Sequence, residues 1–175
     1  MTPRTRLLAL AVVLFLPLAG WAEVKIPLEC RVKNRPPGRC GWCALETLAR
    51  HHGVKSLYTL TDDHDCRACP EDLEETLIAN GIAYRIQYSG NESTKILDYA
   101  IRKNRGAVVG FRGLTPDSGG HIVTLVDFGP EEVRVIDSND ADRRVRTMTR
   151  ERFLHWWDGF ALVPEFTRKS LPKAR

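Results

Sequence analysis

Five cysteines in a chain that begins like an exported protein set the strongest constraint, because two disulfides use four of them and leave one thiol without a partner. The chain opens with Arg4 and Arg6, runs almost wholly apolar from Leu7 to Leu18, and then reads Ala19-Gly20-Trp21-Ala22. Basic start, apolar centre and small residues at the end form the pattern of a secretory signal, and the apolar tract is short for a membrane span of about 20 residues. Residues 1–22 are therefore expected to be a cleaved signal peptide, leaving an exported protein without a stable membrane anchor. Cys30 lies too far beyond that boundary, and lacks the small residues before it, to be a lipid attachment point.

Removing residues 1–22 from 175 leaves 153, the size of one domain with one core. The whole chain carries a formal charge of +4, which falls to +2 when Arg4 and Arg6 are removed, with both signs interspersed. Nothing in that distribution points to nucleic acid. The expected domain covers 23–165, followed by a basic tail over 166–175 with Arg168, Lys169, Lys173 and Arg175.

Ala44, Leu45, Leu48 and Ala49 recur at helical spacing and Gly53 stands at a stop position, so the pattern predicts a helix from Cys40 or just after it to His52. Thr59 to Cys69 is polar and turn-rich. Pro70-Glu71-Asp72 opens a second helix carrying Leu73, Leu77 and Ile78, ended by Asn80-Gly81. Ala83 to Tyr88 reads as a strand, and Asn91-Glu92-Ser93-Thr94 as the cap of a third helix with Ile96, Leu97, Ala100 and Ile101 on one stripe. From Ala107 the texture turns to β: 107–111, 121–128, 133–137, 145–148 and 160–163 are expected strands, with a short helix over 150–157. Helices first and strands second predict an α+β domain, a helical first half packed on an antiparallel β-sheet second half.

Three separated segments carry candidate chemistry. In Asn34-Arg35-Pro36-Pro37-Gly38-Arg39-Cys40-Gly41-Trp42-Cys43, Cys40 falls at the helix N-terminus, where partial positive charge and free N–H groups favour a thiolate. Gly41 lets another group approach the backbone, and the adjacent N–H can serve an oxyanion. Gly119-Gly120-His121 puts a histidine at the entrance of an apolar strand, and Asp137 ends the next strand, so an antiparallel pair would bring the two together. Asp137 would then orient the ring, with Asn139 as the alternative orienter. Thiol, imidazole and carboxylate are the parts of a nucleophilic hydrolase. His51 and His52 lie about 16–18 Å along the helix axis from Cys40, too far to act as its base. His64 belongs to the cysteine-rich loop and His155 to a Trp-bearing helix.

Two other chemistries fit Cys40-Gly41-Trp42-Cys43 with Cys66-Arg67-Ala68-Cys69. A four-thiolate zinc site needs a shorter separation of its knuckles and leaves Cys30 unexplained. A thioredoxin-like redox pair needs a buried strand just before it, whereas the preceding segment holds two prolines. The favoured reading needs no metal and no cofactor.

Cys40-Gly41 through Gly53 resembles the nucleophile helix of the bacteriocin-processing, double-glycine-leader peptidases and their papain-like relatives. The resemblance puts Cys40 on the nucleophile, His121 on the histidine and Asp137 on the orienting aspartate; the closing segment from Phe153 to Val163 is also similar. It implies a papain-like cysteine peptidase fold and a peptide or protein substrate. The glutamine that the family carries six residues before its nucleophile, an oxyanion donor, is here Asn34, one methylene shorter. Aligned on the papain-type Cys-Gly-x-Cys pattern, Cys43 becomes the alternative nucleophile, but Pro37 then occupies the glutamine position and offers no donor. With Cys40 as nucleophile, Cys30, Cys43, Cys66 and Cys69 are the expected disulfide cysteines, in any of three pairings. The expectation is an exported cysteine hydrolase cleaving peptide or amide bonds. The alternatives are an inactive peptide- or cell-wall-binding member of the fold and a transglutaminase-like acyltransferase.

Overall fold

The computed structural model describes residues 23–35, 38–113 and 120–166. The expected signal segment and all but the first residue of the expected tail lie outside them, as do Pro37 and Gly119. Among the described residues no helix is long and apolar enough to cross a membrane.

The first helix, α1 (Cys40–His52), is closed by Gly53 in the left-handed conformation at φ 74°, whose N–H reaches the carbonyls of Ala49 and Arg50. Every residue from Gly41 to Ala49 is buried, so this is a core helix and not a half-exposed one. Two further helices follow: α2 (Leu60–Asp63), then α3 (Pro70–Ala79), which starts on a proline with the Asp72 carboxylate accepting from the Cys69 N–H. Next come β1 (Tyr84–Gln87) and α4 (Lys95–Arg102). The remainder is β2 (Ala107–Phe111), β3 (His121–Phe128), β4 (Glu132–Ile136), β5 (Val145–Thr149), the helix α5 (Arg150–Trp156) and β6 (Trp157–Pro164).

The strands form a single six-stranded sheet in the order β1-β6-β2-β3-β4-β5, antiparallel at every pairing. Its middle is β2 and β3, whose Val108, Val109, Val123, Leu125 and Val126 are almost fully buried, which is why these strands read as continuous apolar runs. β5, at one edge, alternates exposed Arg146, Thr147 and Thr149 with half-buried Val145 and Met148. α1 lies across β3, α4 touches β3, β6, β2 and β1, and α5 closes over β4 and β5, with Phe153 edge-on to Phe111 and Phe128 and stacked on Trp157. The chain thus has the expected α+β architecture.

The turn-rich stretch 59–69 differs from expectation by holding α2. Leu57 and Leu60 bury beneath α1, and the buried carboxylate of Glu46 accepts from the Thr61 N–H at 2.9 Å and hydroxyl at 2.7 Å while pairing with Arg50 at 2.6 Å. A charge inside a core helix thereby fixes the one-turn helix beside it. The third expected helix begins later, at Lys95, and Thr94 caps it without a side-chain bond. Asn91 instead closes a local turn through Ser93.

Candidate active site

Cys40 is the first residue of α1, His121 the first residue of β3, and Asp137 lies one residue beyond β4. The register Thr124 opposite Ile136 puts the start of β3 and the end of β4 at the same rim of the sheet. There His121 Nε2 donates to Asp137 Oδ1 at 2.8 Å. This fixes the tautomer and leaves Nδ1 free to serve the sulfur, and His121 is close enough to Cys40 to lower its thiol. The N–H groups of Ile122 and Gly41 also face that sulfur. Close approach requires glycine at 41: a Cβ there would lie 2.8 Å from the Ala68 Cβ and 3.2 Å from Ile122 Cδ1.

Burial opposes charge at all three residues, but the contacts outweigh it. At Cys40 the hydrogen bond from His121, the backbone donors and the imidazolium charge bring the thiol below its ordinary value. At His121 the hydrogen bond and charge of Asp137, joined by those of Cys40, overcome burial and push the ring up to about 9. Asp137 is half-buried, which by itself raises its carboxyl, yet His121 and the Asn139 N–H hold it below the usual carboxylate range. The contacts among the three therefore favour the charged form of each: thiolate, imidazolium and carboxylate.

Cys43 is one helical turn further on and fully buried. Burial, with the Glu46 charge nearby, pushes its thiol up to about 11, and Thr61 Oγ1 lies 3.9 Å from the sulfur. It is a core thiol, and the site forms around Cys40.

Asn34 is buried beside the site with its side chain clamped at both ends. Oδ1 accepts from the Arg39 N–H at 3.0 Å, and Nδ2 donates to Asn139 Oδ1 at 2.7 Å. Its backbone N–H adds a 3.0 Å bond to the Ser138 carbonyl. Asn139 does not touch the imidazole. It supports Asp137 from behind, its N–H donating to Oδ1 at 2.9 Å. This bridging position was not read from the sequence, although Asp137-Ser138-Asn139 is the kind of stretch that forms an Asx turn.

The expected disulfides are corrected: all five cysteines are free thiols. Cys43 points into the core, Cys66 and Cys69 are exposed ahead of α3, and Cys30 is half-buried at a 3-10 turn, Leu28–Cys30. Among the described residues, no three His, Cys, Asp or Glu side chains gather as metal ligands. The other histidines sit elsewhere: His52 Nε2 meets the Arg105 carbonyl at 3.1 Å, His64 stacks flat on Trp42 at 3.9 Å, and His155 packs edge-on to Trp156.

A thiol at the start of a core helix, facing an imidazole on an antiparallel sheet, is the papain-like α+β arrangement, and the chain has that fold. Among the solved structures that share it are two peptidases of transporters. One is a double-glycine-motif protease from an AMS/PCAT transporter in complex with the leader peptide; it matches 83% of this chain and 94% of its own length, with TM-score 0.60 and 14% identity. The other is the peptidase domain of Streptococcus ComA, a bi-functional ABC transporter of a quorum-sensing pathway, matching 76% of this chain and 95% of its own, with TM-score 0.58 and 19% identity. The fold expected from the resemblance is therefore the one observed. No protein-family model and no curated protein matches the sequence.

Proposed function

We propose that the chain is an exported cysteine peptidase that cleaves peptide bonds through Cys40, His121 and Asp137. The observation that carries this reading is the 2.8 Å hydrogen bond between His121 and Asp137 at the rim where Cys40 begins α1, an arrangement in which His121 lowers the thiol while Asp137 and Cys40 raise the imidazole. A lone buried cysteine shows the opposite behaviour, as Cys43 does.

In this mechanism the Cys40 thiolate attacks the scissile carbonyl carbon, and the carbonyl π electrons move to oxygen. The uncommitted Asn34 Nδ2 hydrogen and the Cys40 N–H receive that oxyanion. Collapse breaks the C–N bond as the His121 imidazolium gives its proton to the departing amine, leaving a thioester on Cys40. Neutral His121 then takes a proton from water, whose oxygen attacks the thioester. The acid leaves, and thiolate and imidazolium are restored. Asp137 holds the ring in the tautomer that both steps need.

The substrate is a peptide in this reading, supported by the shared fold of a protease solved with its leader peptide. Peptides with an internal Gly-Gly are the first candidates. Export rests on the pattern of residues 1–22 alone. Incubation of the purified chain with a quenched-fluorescence Gly-Gly peptide and with a mixed peptide library, products read by mass spectrometry, tests the activity. Cleavage abolished by Cys40→Ala but not by Cys43→Ala is expected. Cleavage that survives Cys40→Ala overturns the assignment, and no cleavage together with intact peptide binding leaves a binding module.

A further inference from the structure

We infer that Asn139 is a positioning residue that holds the Asn34 amide in its oxyanion-facing orientation; the inference rests on the peptidase reading above. An asparagine side chain ends in an oxygen and an NH2 group, so an amide used as a directed donor must be kept from rotating. Asn34 has both its ends engaged. Its Oδ1 accepts from the N–H of Arg39, the residue before the nucleophile, which ties the amide to the start of α1. One Nδ2 hydrogen goes to Asn139 Oδ1 at 2.7 Å, leaving the second as the uncommitted donor of a side chain whose residue is 8% exposed.

Asn139 also serves the other half of the site, because its backbone N–H reaches Asp137 Oδ1. The two duties use different atoms. The side chain serves Asn34, and the main chain serves Asp137. Replacement of the side chain should therefore release the oxyanion donor while leaving the carboxylate, the imidazole and the thiolate in place. Asn139 is not among the non-glycine residues with positive φ, so alanine is compatible with the backbone there. A donor one methylene shorter than glutamine reaches less far, which makes its orientation matter more.

The test compares wild type with Asn139→Ala and Asn139→Asp, the latter retaining an acceptor for Nδ2. Three quantities are measured: hydrolysis of the Gly-Gly peptide, the affinity of a peptide aldehyde that adds to Cys40 and places its oxygen where the oxyanion forms, and the pH profile of Cys40 alkylation by iodoacetamide, which develops no oxyanion. Asn139→Ala is expected to lower kcat by about 10- to 100-fold with KM nearly unchanged, and to weaken the aldehyde by a similar factor. The alkylation profile should not move, and Asn139→Asp should recover most of kcat. Wild-type kcat and aldehyde affinity in Asn139→Ala overturn the inference alone. A shifted alkylation profile also overturns it, because the residue would then act through Asp137. A wild-type chain that neither cleaves peptides nor captures the aldehyde overturns the peptidase reading, and this inference with it.

Discussion

Replacing Asp137 with asparagine separates the charge of the carboxylate from its shape, since an amide oxygen can still accept from His121 Nε2. The ring is raised from 6.5 to about 9, despite burial, by hydrogen bonds and charges from Asp137 and Cys40, with Asp137 the largest raising contributor. That elevation corresponds to about 3 kcal/mol favouring the imidazolium. Loss of an adjacent opposite charge moves such a group by about 1–3 pH units, so His121 in Asp137→Asn should titrate near 7. At pH 8 a ring titrating at about 9 is about nine-tenths protonated and one at about 7 about one-tenth, a loss of about tenfold in the thiolate–imidazolium form. Iodoacetate reads this without any substrate: it needs the thiolate, and as an anion it is drawn by the imidazolium. Its reaction with Cys40, followed by mass spectrometry of the Cys40 peptide across pH 4–11, should rise through a value below the ordinary thiol range and fall through about 9. In Asp137→Asn the falling limb should move down by about 2 pH units, to near 7. A wild-type profile with a single rise near pH 9, or a falling limb that the substitution leaves in place, would refute the ion-pair reasoning.

Other parts of the chain make their own predictions. Gly41→Ala forces a methyl against Ala68 and Ile122, so it should cost about 1–3 kcal/mol in urea unfolding and reduce Cys40 reactivity through displacement of the start of α1. Glu46→Ala strips the ion pair from Arg50 and both bonds from Thr61, which should cost about 2–4 kcal/mol in the same assay. Five free thiols should titrate in denaturant without reductant, whereas the folded chain should hold Cys43 unreactive long after Cys40 is consumed. A count of one thiol would restore the two disulfides.

The segments that make the site were legible because each sits at an element boundary that its own neighbours declare. Cys40 precedes an apolar helical stripe closed by Gly53, and His121 opens an unbroken β-branched run, so both fall at ends where a side chain reaches a rim. Asp137 followed from the short turn at Gly129-Pro130, which forces β3 and β4 to pair antiparallel. α2 was hidden because its four residues carry no period. What holds it is the buried Glu46, fifteen positions away from Thr61, and polarity patterns do not foretell a charge satisfied inside a core helix. Asn139 was named as an alternative orienter of the imidazole, but its bond to Asn34 was not foreseen, for a similar reason. Its role lies in a bond to Asn34 across 105 positions, which exists only after the segment before α1 has been laid beside the β4 rim.

Cysteine pairing failed as a guide for a geometric reason that also favours the nucleophile. Cys40 and Cys43 are three residues apart on one helix, which would let a disulfide or a metal join them only if both faced the same space. The fold instead divides them, since the first turn of α1 meets the rim of β3 while the next turn is surrounded by core. Burial then acts in opposite directions on two identical groups. Cys40 has an imidazolium and backbone donors to offset its desolvation and falls below the ordinary thiol range, while the hydrogen bonds at Cys43 do not offset burial and it rises to about 11. The spacing that made Cys-Gly-Trp-Cys resemble a redox or zinc motif is thus what places one thiol beside the imidazole and the other in the core.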